Sequence, residues 1–280
     1  MSALENRTVI MSGGSRGIGL AIAKKAASEG ANVAIIAKTD KPHPKLEGTV
    51  HTAAAEIEEA GGREALAIVG DVRDGESVEA AVAQTAERFG GIDIVVNNAS
   101  AINLAPMRDL ELKRLDLMLD INVRGTFALT RAALPYLRES DHAHVLSLSP
   151  PISADPKWLR GHSAYTVSKY GMTMITLGVA ADEAEAPIAA NTLWPRTLIA
   201  TAAVQNLLGG DEAMSRARTP EIYADSALEV LKRDPRGCTG NSFIDDEVLA
   251  EAGITDLDRY TAVPGGDLAL DLFVDGFPEG

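Results

Sequence analysis

Thr8-Val9-Ile10-Met11-Ser12-Gly13-Gly14-Ser15-Arg16-Gly17-Ile18-Gly19-Leu20-Ala21-Ile22-Ala23 is the stretch from which the rest of the chain can be read. A mostly apolar run over 8–12 predicts a buried strand, and the run from Ile18 predicts a helix. Between them lies Gly13-x-x-x-Gly17-x-Gly19. Gly13 can make the tight turn, Gly17 lets backbone come close to a pyrophosphate, and Gly19 lets helix and strand pack closely. Glycine triplets also occur in plain turns. The strand before it and the helix after it give this one its meaning, a phosphate cradle for a dinucleotide.

Outward from that turn, apolar runs alternate with longer amphipathic segments. Strands are expected over 8–12, 33–37, 65–69, 92–97, 144–149, 189–194 and 242–244. Helices are expected over 18–29, 52–60, 76–89, 113–136, 164–184 and 222–232. The strands are continuously rather than alternately apolar, as strands buried on both faces are. This order predicts an α/β doubly wound fold, with a seven-stranded parallel sheet and helices on both faces. The expected dinucleotide-binding domain spans 1–245. A Gly/Pro-rich acidic tail over 246–280, with a short helix at 247–252, should wrap the surface of that domain.

Composition excludes several classes. The chain has 280 residues, 46% of them hydrophobic, and a net charge of −14. That charge argues against nucleic acid and anionic membrane surfaces as partners. No apolar run reaches the roughly 20 residues of a membrane span. Cys238 is the one cysteine, so neither an intrachain disulfide nor a cysteine metal cluster can form. No metal is expected, and a reducing, cytoplasmic setting fits.

The end of the second predicted strand bears on cofactor choice. An acid there would hold ribose hydroxyls, but this chain has Lys38, with Arg16 in the glycine turn and Lys41 and Lys45 in the insert 39–48. Cations at that point should attract a 2′-phosphate, so NADP(H) is preferred and NAD(H) remains an option. A solvated basic loop is the plainer reading. His43, between prolines, reads as a loop residue. Asp71-Val72 follows the third strand, where the carboxylate could accept from an adenine amino group or serve as a helix N-terminal acid. Asn97-Asn98-Ala99-Ser100 closes the fourth strand, where side-chain amides could tie neighbouring strands together.

Ser149 and Tyr165-x-x-x-Lys169 carry the chemistry. A tyrosine and a lysine four residues apart share a helix face. The ammonium should favour the phenolate and lower a phenol pKa that is ordinarily about 10, giving a proton carrier usable near neutrality. Ser149, expected to end the fifth strand, is preferred over Ser153 and Ser163 because it would point from a rigid element. Asn122 sits within helix 113–136 beside Gly125, both poor helix-interior residues. It reads either as a local widening of the helix or as a surface asparagine.

Together these residues resemble the short-chain dehydrogenase/reductase family, a Rossmann-fold family. The match runs through Gly13-x-x-x-Gly17-x-Gly19, Asp71, Asn97-Asn98-Ala99, Asn122, Ser149, Tyr165-x-x-x-Lys169 and Asn191…Pro195. Within it the chain is most similar to the hydroxysteroid dehydrogenase-like protein 2 group, through Lys38-Thr39…Pro42-His43-Pro44-Lys45-Leu46, Ser149-Pro150-Pro151, Leu193-Trp194-Pro195 and Phe243-Ile244-Asp245. Animal members of that group carry an added sterol-carrier domain, and this chain is expected to lack one. Ser100 and Arg196 depart from the family's usual glycines, and the gap from Ser149 to Tyr165 is three residues longer than usual.

The resemblance implies NADP(H)-dependent interconversion of an alcohol and a carbonyl. Tyr165 would exchange the proton, Ser149 would donate a hydrogen bond to the substrate oxygen, Lys169 would tune Tyr165, and Asn122 would keep a water chain. The cofactor would lie against Gly13, Ser15, Arg16, Gly17, Ile18, Gly19, Lys38, Asp71, Val72, Asn98, Ala99, Tyr165, Lys169, Pro195 and Thr201. Ile102, Leu104, Ile152, Trp158, Leu198, Ile199, Val204 and Leu207 would line an apolar substrate pocket. A catalytically silent NADP(H)-binding regulator is the rival reading, although the complete Ser/Tyr/Lys/Asn set gives it no support. Apolar residues on more than one side of helices 113–136 and 164–184 predict a homotetramer or homodimer.

Overall fold

Alternating apolar runs become a seven-stranded, all-parallel sheet in the order β3-β2-β1-β4-β5-β6-β7. The computed structural model describes residues 2–42, 48–61 and 63–277, with backbone only for Leu208. The strands are β1 (Thr8–Ser12), β2 (Asn32–Ala37), β3 (Ala65–Val69), β4 (Ile94–Asn97), β5 (Ala143–Leu148), β6 (Ile188–Trp194) and β7 (Ser242–Ile244). The helices are α1 (Gly17–Ser28), α2 (Val50–Gly61), α3 (Gly75–Phe89), α4 (Leu112–Met118), α5 (Gly125–Leu137), α6 (Pro156–Leu159), α7 (Ser163–Asp182), α8 (Gly210–Ser215), α9 (Pro220–Leu231) and α10 (Asp245–Glu251). Every residue of β1, β4, β5 and β6 is buried. That is why these strands read as continuous apolar runs.

Successive strand side chains feed opposite cores. Val9 and Met11 of β1 pack with α1, α9 and α10, through Ile22, Ile222, Tyr223 and Leu249. Ile10 packs on the other face with α3 and α5, through Val78, Val82, Leu129 and Ala133. The tail goes deeper than the surface position expected of it. Leu249 and Tyr260 join the first core, and Phe273 and Val274 join a third cluster with Met118, Tyr165, Trp194 and Ile244. Arg196 anchors this path. Its buried guanidinium donates to Asp246 (2.6 Å), Glu247 and the Gly276 carbonyl, and its own carbonyl accepts from the Asp271 N–H at 2.9 Å. An arginine stands where a glycine was expected because it ties α10 and the tail to the end of β6.

Two expectations are corrected here. β5 ends at Leu148, so Ser149 is the first residue past the strand. The single helix expected over 113–136 is three pieces: α4, a π-helical turn at Leu119–Arg124, and α5. The widening lies at Asn122, as one of the two sequence readings had it. Asn122 is fully buried. Its Oδ1 accepts from the Ala101 N–H at 2.7 Å, and its Nδ2 donates to the Ala101 carbonyl at 3.0 Å and to Ser168 Oγ at 2.9 Å. The amide thereby pins the segment after β4 and joins the π-turn to α7. Gly171 lets the two approach, since a Cβ there would lie 2.8 Å from Val123 Cγ2. Asn122→Ala leaves buried partners unpaired, so denaturant melts should show a loss of about 2–3 kcal/mol. A stability change within about 0.5 kcal/mol would contradict this role.

Candidate functional site

Strand order reverses between β1 and β4, and in open α/β sheets a crevice at such a point, beyond the carboxyl ends of the strands, is where ligands bind. The glycine turn leaves β1 there, and Asn98 leaves β4 beside it. Asn98 Nδ2 donates to the carbonyls of Ser12 (2.9 Å) and Gly13 (2.8 Å), while Ser12 Oγ accepts from the N–H groups of Asn98 (3.2 Å) and Ala99 (3.1 Å). Gly13 and Gly17 have φ of +76° and +56°, backbone that other residues rarely adopt. A Cβ on Gly13 would also lie 2.8 Å from the Asn98 amide nitrogen. α1 begins with no side-chain cap on its first turn, since Arg16 is extended and makes no capping hydrogen bond. Its first N–H groups are therefore placed for an anion. Ser15 is buried, Ile18 packs against the first core, and Thr201 lies across from Gly17. These features fit a dinucleotide pyrophosphate.

Beyond the end of β2 the structure adds a residue that sequence reasoning missed. Asp71 is chelated by Arg73 Nε (3.0 Å) and Nη2 (2.6 Å), and Lys38 Nζ stands 3.2 Å from Asp71 Oδ2. The Arg73 hydrogen bonds, with Lys38 adding to them, hold the Asp71 carboxyl well below the usual range. Asp71 is thus engaged by two cations in this structure, and its carboxylate is not left for adenine alone. The i,i+2 spacing of Asp71 and Arg73 was the signal for this. Arg16 Nη2 donates to the Gly48 carbonyl at 2.9 Å and reaches Thr39 Oγ1 at 3.5 Å, so the glycine turn does meet the end of β2. His43 and Lys45 lie outside the described residues. Val72 is buried against Gly125.

The chemistry-bearing residues gather beyond β5 and β6. Tyr165 and Lys169 share the buried side of α7, at 6% and 3% exposure. Lys169 Nζ donates to the Leu148 carbonyl at 2.6 Å and stands 5.2 Å from the Trp194 ring centroid. Thr173 Oγ1 donates its one hydrogen to the Pro150 carbonyl at 2.7 Å, and so accepts from the Ser149 hydroxyl, whose Oγ lies 2.9 Å away. The electrostatics differ from the sequence expectation. Burial pushes the Tyr165 phenol up, with Asp271 adding to it, and burial pushes Lys169 down to about 7. Burial lifts Asp271 to about 7. Desolvation penalises every charged form here and sets the direction of all three shifts.

The apolar candidates divide. Ile102, Leu104 and Trp158 pack onto the third cluster around Tyr165. Ile199 is core packing, Val204 is buried, Leu198 is half-buried and donates its N–H to the Ala269 carbonyl at 3.0 Å, and Ile152 and Leu207 are exposed. Pro195 is buried, and Thr201 Oγ1 accepts from the Val204 N–H at 3.4 Å. The cluster's missed aromatic members are Trp194, Tyr170 and Phe273. The apolar run Leu272-Phe273-Val274 in an acidic tail was the signal for Phe273. Among the described residues no three His, Cys, Asp or Glu side chains form a metal-holding group, and no helix is long and apolar enough to cross a membrane.

Comparison with known proteins places this architecture. Hydroxysteroid dehydrogenase-like protein 2 of Danio rerio is 51% identical over 272 residues, covering 97% of this chain and 65% of that protein. This chain therefore spans less than two thirds of that relative's length. A short chain dehydrogenase from Mycobacterium thermoresistibile has TM-score 0.92 and 58% identity, covering 97% of this chain and 96% of its own. A short chain dehydrogenase from Burkholderia cenocepacia, solved in complex with NADP, has TM-score 0.72 and 30% identity, covering 86% and 97%. The short chain dehydrogenase family itself matches residues 7–210. With the reversal in strand order, the glycine turn and half of its sequence in common with such relatives, this chain belongs to the short chain dehydrogenase family.

Proposed function

We propose that this chain is an NADP(H)-dependent oxidoreductase that interconverts an alcohol and a carbonyl on a hydrophobic small substrate. One observation carries the reading. Tyr165 and Lys169 lie on one buried side of α7, and Lys169 is bonded to the last residue of β5, next to Ser149. The glycine turn, Asn98 and the first turn of α1 would hold the pyrophosphate, and Lys38, Arg73 and Arg16 would face the 2′-phosphate. The NADP complex of the Burkholderia relative supports the cofactor class. The bound nicotinamide supplies hydride chemistry, and the protein's part is to orient and to move the proton.

Tyr165 exchanges that proton with the substrate oxygen. Ser149 donates a hydrogen bond to the same oxygen, which requires its hydroxyl to turn away from its present bonding around Thr173. Lys169, already pushed toward neutrality by burial, regains its charge when an anionic or polar partner enters, and then stabilises the phenolate. The expectation for Tyr165→Phe is a fall in turnover of about 10²–10⁴-fold with NADPH affinity unchanged. Steady-state kinetics over a panel of alcohols, ketones and aldehydes, together with cofactor titration, decides it. Turnover kept within a factor of a few would remove Tyr165 from this role.

Cofactor choice follows from the cations around Asp71. NADPH is expected to bind more tightly than NADH. Lys38→Asp not only removes a cation but sets a second acid beside Asp71, so it should cost about tenfold or more in NADPH affinity and leave NADH little changed. Calorimetric titration of both cofactors into both proteins tests this. Equal affinities in the wild type would count against it.

The assembly is proposed as a homodimer or homotetramer through α5 and α7. Met118 at the end of α4 and Met172 on α7 are buried and take no part in it. Phe127 (53%), Val167 (57%) and Met174 (60%) remain exposed on these helices, an apolar set that suits a two-fold contact. Light scattering in dilute solution should give a mass two or four times 29.5 kDa, and a stable monomer would refute the proposal.

A further inference from the structure

Phe273 is held in a cage of rings. Its centroid lies 5.4 Å from that of Tyr170, 5.7 Å from Trp194, 5.9 Å from Trp158, 6.1 Å from His162 and 6.4 Å from Tyr165. These are distances at which aromatic edges and faces attract. The five surrounding rings come from α6, from α7 and its entrance, and from the end of β6, whereas Phe273 comes from the tail. Its backbone has φ of +70°, in the left-handed region that a bulky side chain rarely adopts. Such a conformation persists where packing over-determines it, and here the ring contacts do so.

The strap that carries Phe273 is fastened at separate points. Trp194 Nε1 donates to the Leu272 carbonyl at 2.7 Å, Arg196 Nη1 donates to the Gly276 carbonyl, and Lys157 pairs with Asp275 at the surface. Beneath the strap Tyr165 is 6% exposed. A substrate oxygen must come within about 3 Å of that phenol to exchange a proton, so the strap has to yield before a substrate can reach it.

We propose that the cage receives the flat, aryl-sized apolar group of the substrate, and that Phe273 occupies its place until displaced. This deepens the oxidoreductase reading and rests on it for the word substrate. The chemistry favours an aryl group over an alkyl chain. Five aromatic walls offer complementary faces and edges, and the group they now hold is a phenyl ring. Competition by Phe273 lowers the apparent affinity by the fraction of molecules in which the cage is open.

The test uses the full chain without added cofactor, so that the alcohol probe binds but has no hydride acceptor. Trp158 and Trp194 are the chain's two tryptophans and both flank Phe273, so their emission reports on the cage. Phe273→Gly keeps the positive φ without strain. It should increase acrylamide quenching of the tryptophans and tighten benzyl alcohol binding, followed by emission, by about tenfold. Asp275→Ala cuts the same exposed fastening from the strap side, leaves Lys157 over the Trp158 ring, and should tighten the same binding by about twofold. Unchanged or weaker benzyl alcohol binding in Phe273→Gly overturns the proposal, because the ring would then be a fixed wall. Should that variant fail to fold, Asp275→Ala decides, and unchanged affinity there overturns it equally. Neither readout depends on turnover, so a failure of the hydride-transfer reading would show separately, in Tyr165→Phe.

Discussion

The hydrogen bonds from Asn98 to the Ser12 and Gly13 carbonyls are the joint on which the rest of the molecule depends. A doubly wound sheet is built outward in two directions from one line, here between β1 and β4, and the strands on either side of that line diverge into a crevice. Backbone groups at the crevice have no next strand to bond. Asn98 answers two carbonyls at once, and Ser12 Oγ returns the favour to the N–H groups of Asn98 and Ala99. Asn98 Nδ2 takes the space a Cβ would need at Gly13, so the turn at that junction is left to glycine.

A second amide does comparable work one layer out. Asn122 widens its helix into a π-turn and spends the freed geometry on Ala101 and Ser168. The chain after β4, the α4–α5 helix and α7 are thereby fixed relative to one another, and α7 is the helix that carries Tyr165 and Lys169. The precision of that pair is inherited from buried hydrogen bonds whose loss leaves donors and acceptors unpaired.

Burial then sets the electrostatics. Seen as isolated groups one helical turn apart, Tyr165 and Lys169 should help each other ionise. Under the tail the phenol rises, the ammonium falls to about 7 and Asp271 rises to about 7. One cause, desolvation, moves all three toward neutrality. The tail is therefore part of the site's chemistry as well as of its shape, and Arg196 matters because it secures that tail.

What the chain's own order of residues made legible was local or periodic. Strands buried on both faces announce themselves as apolar runs, a glycine turn between strand and helix announces a phosphate cradle, and Tyr165-x-x-x-Lys169 shares a face by helical geometry alone. Even the widening at Asn122 left a trace, since Asn and Gly are both poor in helix interiors. Partnerships between distant segments left none. Nothing near Lys38 in sequence foretells that it meets the Asp71–Arg73 pair. Residue type does not separate Ile199, which is core, from Ile102, which faces the site cluster. Phe273 lies more than a hundred residues from Tyr165, in a stretch whose composition suggested a surface wrap. Its place follows from desolvation and ring packing, which depend on what surrounds a group in three dimensions and so are settled when the chain closes on itself.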